Sequence, residues 1–558
     1  MNFNNRRKIV LFLTAAAIAM MGEAATFPDS RDLLRQELRK VTSGLAFQMP
    51  EVMLPEFADR NFNVLDYGGI GDGLTMNTGA IQKAIDACSA AGGGRVEIPQ
   101  GLWLTGPLRL KSNVDFHLDA GALIEFSRNH SDYQIVNIPR RGWIVESPIM
   151  GVDLENIALT GPGLIDGSGI TWRPVKHEKA SPTLWKELTK SGGVVSEDGS
   201  MWWPSEAAEK GAEYVKNLKS AKNKKDLTAA DFLPARDFMR PMLVLLVNCK
   251  KVLIDGPTFE NSPSYALYPN WCENVVIRNA RINNEYWAQN GDGIDISSSK
   301  NVVIFKSTVT AGDDGICMKS SPDKNASGPT LKNVVISECV VYHAHGGFVI
   351  GSNVDGGIEN ISVRNCDFVG TDIGLRFKSA RGKGGAVRNI FVDSVYMKNI
   401  VNEAVLFDTY YEEKGDEESA PQAVTDKTPE FKDFHLNNIH CDGAKQAVRA
   451  FGLPEMPVDS ITITNSTFST EKGFESSNVS GFNLENVRII PQKGPVYSLT
   501  ESKGVVIENG YCPPATDVFL IVAGKNSAGI RLIGTPTDGA KTPVKYGSDA
   551  AADAVTIK

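Results

Sequence analysis

One short phrase recurs along most of this chain: a polar residue, often Asn, followed by apolar-x-apolar and then polar residues. It stands at Asn274-Val275-Val276-Ile277, Asn301-Val302-Val303-Ile304, Asn333-Val334-Val335-Ile336, Asn360-Ile361-Ser362-Val363 and Asn389-Ile390-Phe391-Val392. An earlier copy is Asn156-Ile157-Ala158-Leu159, and later ones begin at Asp433, Ser460 and Gly504. The first five fall 27, 32, 27 and 29 residues apart. A period of this size with two-residue alternation inside each unit marks a stacked repeat. Helical repeats would show 3.6-residue periodicity over ten or more residues, and leucine-rich repeats an L-x-x-L-x-L frame; neither is present. What remains is an all-β, single-domain parallel β-helix, in which each coil lends short strands to sheets running along the axis. Recurrent Asn and Gly suit its corners, where left-handed backbone is needed.

The chain has 558 residues, more than one conventional core supports, which a solenoid accommodates. Its open end needs a cap. Residues 78–91 put Ile81, Ala84, Ile85 and Cys88 on one helical face, with Asn77 or Thr78 as N-cap and Gly92-Gly93-Gly94 as stop. The glycines of Tyr67–Gly73 do not match G-x-G-x-x-G and read as a turn. Between Ser168 and Met242 the phrase is missing, so residues 172–238, with four Trp and a Lys-rich stretch, read as an insertion, helical in part. A shorter, acidic one spans 412–429. The expected organisation is a lead segment 25–60, the β-helix 61–535 and a tail 536–558.

Arg6, Arg7 and Lys8, an apolar run from Ile9 to Met21 and Gly22-Glu23-Ala24 form the pattern of a secretory signal peptide, residues 1–24. A run of thirteen residues, apolar except for Thr14, is too short to span a bilayer. The chain is therefore expected to be exported, to the periplasm or outside, with no membrane association once the signal is removed. The eight Cys are sparse and form no C-x₂-C pair, so buried thiols are favoured over bridges. A net charge of −8, or −10 without the signal, excludes the basic stripe of a nucleic-acid binder.

Chemistry concentrates in one stretch. Asp292 precedes Asp313 and Asp314 by 21 and 22 residues, about one coil. His345 follows Asp314 by 31, and Arg376, with Lys378, follows His345 by 31. Coils stack ~4.8 Å apart, so these spacings predict a ladder of three acids, an imidazole and two cations on one outer face. A glycosidase needs one protonated acid at the leaving oxygen and one carboxylate for water. Crowding three Asp raises the pKa of at least one, and two cations suit an anionic sugar. Nothing in the pattern calls for a cofactor or a metal.

These motifs resemble the polygalacturonases of glycoside hydrolase family 28 over roughly residues 61–510. The family's N-x-D, D-D, G-H-G and R-x-K motifs match at Asn290/Asp292, Asp313/Asp314, His345/Gly346 and Arg376/Lys378. Asn63–Gly68 and Asn261-Ser262-Pro263 are also similar. Gly291 stands where the family has Thr, and Ala344 where it has the first Gly of G-H-G; neither change removes a group the chemistry uses. The resemblance implies a right-handed β-helix and hydrolysis of α-1,4 bonds between galacturonic acids, with inversion. It implies Asp313 as general acid, Asp292 with Asp314 activating water, and His345 tuning the acid or holding substrate. Arg376 and Lys378 would grip a galacturonate carboxylate beside the cleaved bond, with Tyr410 or Tyr411 completing that site. The partner would be a pectic polysaccharide or oligogalacturonide.

Two rivals predict different behaviour. A pectate-type lyase on the same fold would use Ca²⁺, which the Asp trio could hold, and would make an unsaturated product. A non-catalytic glycan-binding β-helix would bind without releasing sugar. Adjacent-coil carboxylates would by spacing alone allow the short separation of retaining enzymes, against the inversion that the resemblance implies. The two insertions are large enough to wall the groove, which predicts exo action.

Overall fold

Each copy of the repeated phrase begins on a residue with left-handed backbone. The φ angle is 54° at Asn156, 58° at Asn274, 57° at Asn301, 60° at Asn333, 61° at Asn360 and 57° at Asn389. Asp433, Ser460 and Gly504 adopt the same conformation at the later copies. Asn enters this region at lower cost than other side-chain-bearing residues, which is why the phrase is spelled with it. The side chains then form a ladder along the axis. Asn333 donates to Asn301 at 3.1 Å, Asn360 to Asn333 at 3.0 Å and Asn389 to Asn360 at 3.2 Å.

The structure, a computed structural model, describes residues 30–411, 420–547 and 549–558. The expected signal peptide and residues 412–419 of the shorter insertion lie outside the described residues. Two compact units are present, residues 1–43 and Gly44–Lys558. In the first, the helix Ser30–Val41 carries Asp32 in its opening turn and Arg39 and Lys40 in its last, charges that complement the helix dipole.

The second unit is a right-handed parallel β-helix, the hand that parallel crossovers take. Its first rung, Asn61–Asn63, pairs with Gly94–Ile98. Val275, Val302, Val334, Ile361, Ile390 and Phe434 follow one another in register, all buried in one continuous core. The capping helix spans Thr78–Ala90 and buries Ile81, Ala84, Ile85 and Cys88. Asn77 occupies its cap position, but the Asn77 side chain binds Ile70 and Thr75 instead of the helix. All eight cysteines are free thiols, seven of them buried.

The β-helix also runs past residue 535. Ala540–Tyr546 pairs with Thr516–Ala523, and Val555–Ile557 with Ile530–Ile533. The residues expected to form a tail therefore build a last coil. They escape notice because Lys541, Lys545 and Ile557 are exposed there, which dilutes the apolar alternation.

A third sheet, built from rungs such as Ile149–Val152, Val244–Val247, Leu267–Asn270 and Ile294–Ser297, carries the motifs on its outer face, and two excursions stand beside that face. The 172–238 segment contains the helices Pro182–Ser191 and Glu206–Ala221 and a small antiparallel sheet. A hairpin, Ile135–Ile138 with Gly142–Val145, was not foreseen. Trp172, Phe232, Tyr133 and Val145 share a buried cluster that joins the two excursions. On its other side the hairpin packs Ile138 against Met150, Leu245, Val247 and Tyr268 of the third sheet.

Candidate active site

Four successive rungs of the third sheet carry the motifs: Ile294–Ser297, Asp314–Ser320, Gly346–Val354 and Ile373–Lys378. Ile294, Ile296, Ile316, Met318, Phe348, Ile350, Leu375 and Phe377 turn into the core. Strand alternation then leaves Asp295, Cys317, Val349 and Arg376 outward, in register one above another. The acids stand at the entry of these rungs. Gly293 N donates to Asp314 O at 2.9 Å and His345 N to Asp313 O at 2.8 Å, so Asp292, Asp313/Asp314 and His345 do occupy consecutive coils.

The next step departs from the expected ladder. Gly346 pairs with Ile373, which sets Asp372, not Arg376, above His345. That coil is shorter than the 31 residues assumed, and Arg376 sits farther along its strand and reaches back. Its Nη1 lies 3.2 Å from Asp314 Oδ1, and Lys378 Nζ lies 2.8 Å from Asp314 Oδ2. The two cations expected to grip substrate are thus held by Asp314 in the unliganded site. Burial works against the Asp314 carboxylate, but Lys378 and Arg376 outweigh it and hold its pKa well below the usual range.

The three aspartates are driven apart. Burial, reinforced by Asp295 and Asp313, pushes Asp292 well above the ordinary carboxylate value. Its Oδ1 is buried without a hydrogen-bond partner. At Asp313 burial is outweighed by the hydrogen bond from His345, whose Nδ1 lies 3.1 Å from Oδ1, and the pKa falls. Burial first and crowding second therefore raise the pKa of Asp292, and not that of the residue that the resemblance implies as acid.

Tyr411 lies under both cations, its ring 5.6 Å from the Arg376 guanidinium and 4.9 Å from Lys378 Nζ. Tyr410 instead faces Arg381, because consecutive residues point apart. Asn290 does not touch the acids; its Oδ1 accepts from Arg240 at 2.8 Å.

The family model described as glycosyl hydrolases family 28 matches residues 184–485, more than half of the chain. The chain belongs to glycosyl hydrolase family 28. Among relatives, an exo-poly-alpha-D-galacturonosidase of Dickeya chrysanthemi is 30% identical over 391 residues, which cover 68% of this chain and 61% of that one. An endo-polygalacturonase of Pectobacterium carotovorum subsp. carotovorum is 27% identical, covering 60% of this chain and 73% of its own. Among solved structures, a hyperthermoactive exopolygalacturonase from Thermotoga maritima superposes with a TM-score of 0.63 at 26% identity, covering 82% of this chain and 96% of that one.

Several residues of this family 28 site were not read from the sequence. Lys179, from the insertion, places Nζ 2.9 Å from His345 Nε2 and 2.9 Å from Gly312 O. Its third acceptor is Tyr286 O at 3.4 Å. Three acceptors account for all three ammonium hydrogens, so His345 accepts at Nε2 and carries its proton on Nδ1, toward Asp313. Burial lowers the Lys179 pKa, and Asp313 and Asp372 partly oppose it. Asp295 is buried against Lys319 Nζ at 2.5 Å. Burial lifts its pKa to about 6, Lys319 opposing. Asp295 and Lys319 were legible as charges at outward positions of apolar strands. Lys179 was not, since it lies 166 residues from His345 in an aperiodic segment.

Proposed function

We propose that this protein is an exported glycoside hydrolase that cleaves α-1,4 bonds between galacturonic acids of pectin from a chain end, with inversion. The observation that carries the reading is the carboxylate trio in divided surroundings, Asp292 enclosed so that its pKa is raised and Asp313 and Asp314 bound so that theirs are lowered, bordered by His345 on one coil and by Arg376 and Lys378 beyond it. Both roles a glycosidase requires, an acid and a base for water, are available within two coils. A uronate carboxylate arriving at Arg376 and Lys378 would replace Asp314 as their partner and free it to act as a base. Asp313, on the His345 side, then protonates the leaving oxygen, while Asp292 and Asp314 orient the water. Because the Asp313 pKa is lowered while that of Asp292 is raised, a proton must reach Asp313 before the bond breaks; the trio titrates as one coupled set.

Exo action is favoured by the hairpin 135–145, which covers the outer face on the coils preceding Asp292, and by the 172–238 segment, which packs on the hairpin and reaches His345 through Lys179. If Arg376 and Lys378 hold the leaving sugar, those walls bound the sugar under attack. Asp313, Asp314 and His345 have ligand atoms within 4.8 Å of one another, a geometry open to a metal ion. The ion pairs of Asp314 with two cations favour the hydrolytic reading over a Ca²⁺ lyase. Export is supported by the N-terminal pattern; among the described residues no helix is long and apolar enough to cross a membrane. Proton NMR of the first-formed product tests the stereochemistry: the β anomer is expected, and an α product refutes inversion.

A further inference from the structure

Two guanidinium groups beside the acids have no acid of their own. Arg141, in the turn of the hairpin, donates from Nη1 to Tyr268 Oη at 3.1 Å and lies 4.9 Å from that ring. Its Nη2 is 3.9 Å from Met242 Sδ, and its Nε is buried with no hydrogen-bond partner. Arg240, two residues before Met242, donates to Gln289 O and Asn290 Oδ1, both at 2.8 Å. Among the described residues neither reaches a carboxylate within ion-pair distance, whereas Arg173, Arg376 and Arg381 each hold one. Burial, with the neighbouring Arg173 charge, lowers the Arg240 pKa to about 10. A partly enclosed guanidinium with no ion-pair partner is an arrangement that an arriving anion relieves.

The place of this pair limits what the anion is. Tyr268 adjoins Leu267, which pairs with Ile294, so Arg141 stands one coil before Asp295, against the hairpin. Arg376 and Lys378 reach back to Asp314 on the opposite side. Arg141 stands about two coil steps, roughly 10 Å, from the Asp314 coil that Arg376 reaches, and Arg240, bound to Gln289 and Asn290, about one. Nearby carboxylates form no ion pair with the two: Asp295 is bound to Lys319, and Asp292 and Asp313 act on Arg240 only from a distance, opposing part of the effect of its burial.

We propose that Arg141 and Arg240 form a second carboxylate-binding subsite, which takes the uronate carboxylate of the non-reducing terminal sugar as it is released. This rests on the galacturonide reading above. It makes the walled end a chemical filter as well as a barrier, since a terminal sugar whose carboxyl is methyl-esterified would leave both guanidinia unpaired.

The test is kcat/KM for release of the terminal sugar from trigalacturonate with that sugar as free acid or as methyl ester. Wild type is compared with Arg141→Met, Arg240→Met and Arg141→Lys. Wild type should prefer the free acid by about tenfold or more, the value of one charge-assisted contact. Arg141→Met and Arg240→Met should each lose about tenfold on the free acid, mainly through KM, and change the ester by less than about twofold. Arg141→Lys should keep part of the preference. A wild type indifferent to the ester, or variants that lose both substrates equally, overturns the subsite. A wild type that cleaves neither substrate overturns the galacturonide reading, and the subsite with it.

Discussion

The Asp292, Asp313 and Asp314 side chains differ in charge because they differ in neighbours. Asp292 is enclosed with other acids, Asp313 accepts from an imidazole, and Asp314 is clamped by two cations. Asp313→Asn should lower kcat on polygalacturonate by about 10²–10⁴, and a substrate with a nitrophenyl leaving group should restore most of it. Asp292→Asn should fall as far and stay low with the same substrate; the reverse pattern would exchange the two roles. Asp314 also links stability to pH. Its folded pKa is depressed, so its contribution is full above the ordinary Asp value near 3.9 and is lost as pH falls below it. Asp314→Asn leaves two buried cations unpaired and should cost about 3–5 kcal/mol at pH 6. That deficit should shrink below about pH 4, where Asp314 of the unfolded chain takes up its proton while the folded side chain, held by Lys378 and Arg376, stays ionised; denaturant melts at the two pH values measure it. The identities of these residues were legible from one-coil spacing. Their protonation was not, because it depends on Lys319, Lys179 and burial, which spacing does not report.

At the level of elements, the repeated phrase was readable because each copy needs one left-handed residue, and few types take that backbone well. Asn333→Ala should cost about 1–2 kcal/mol, while Asn333→Gly should lose less, since Gly restores the backbone but not the bonds to Asn301 and Asn360. Equal losses would mean that the ladder, not the left-handed backbone, carries the cost. The excursions were opaque for the opposite reason. Hairpin 135–145 and the 172–238 segment have no repeat, and their partners lie on rungs far along the chain. Lys179 shows what such a segment contributes. With its ammonium on His345 Nε2, it fixes the tautomer and adds positive charge near Asp313. Lys179→Met should lower kcat about tenfold with little change in KM. Losing that charge raises the Asp313 pKa, so the alkaline limb of the pH profile should move to higher pH, and Lys179→Arg should restore part of it. A change in KM alone would make Lys179 a substrate contact instead.

For the molecule as a whole, a stack of coils converts sequence spacing into lateral position, which is how residues from 292 to 378 converge. It also leaves a continuous groove on the third sheet, which the hairpin fills on one side of the acids. Net charge is −8, so the overall field repels a polyanionic substrate. Recognition of the proposed galacturonide would then come from local cations: Arg376 and Lys378 on one side, and the proposed Arg141 and Arg240 subsite on the other. The last coil was misread as a tail because terminal rungs have only one neighbour to bury against and need fewer apolar residues. Digestion of polygalacturonate by wild type and Asp313→Asn, followed by product size, reducing ends, ultraviolet absorbance and viscosity, tests the central claim most directly. Wild type should release small saturated galacturonides from the start while viscosity falls slowly, and Asp313→Asn should release almost none. An unsaturated, ultraviolet-absorbing product lost with a chelator, or wild-type binding without any reducing sugar, would contradict it.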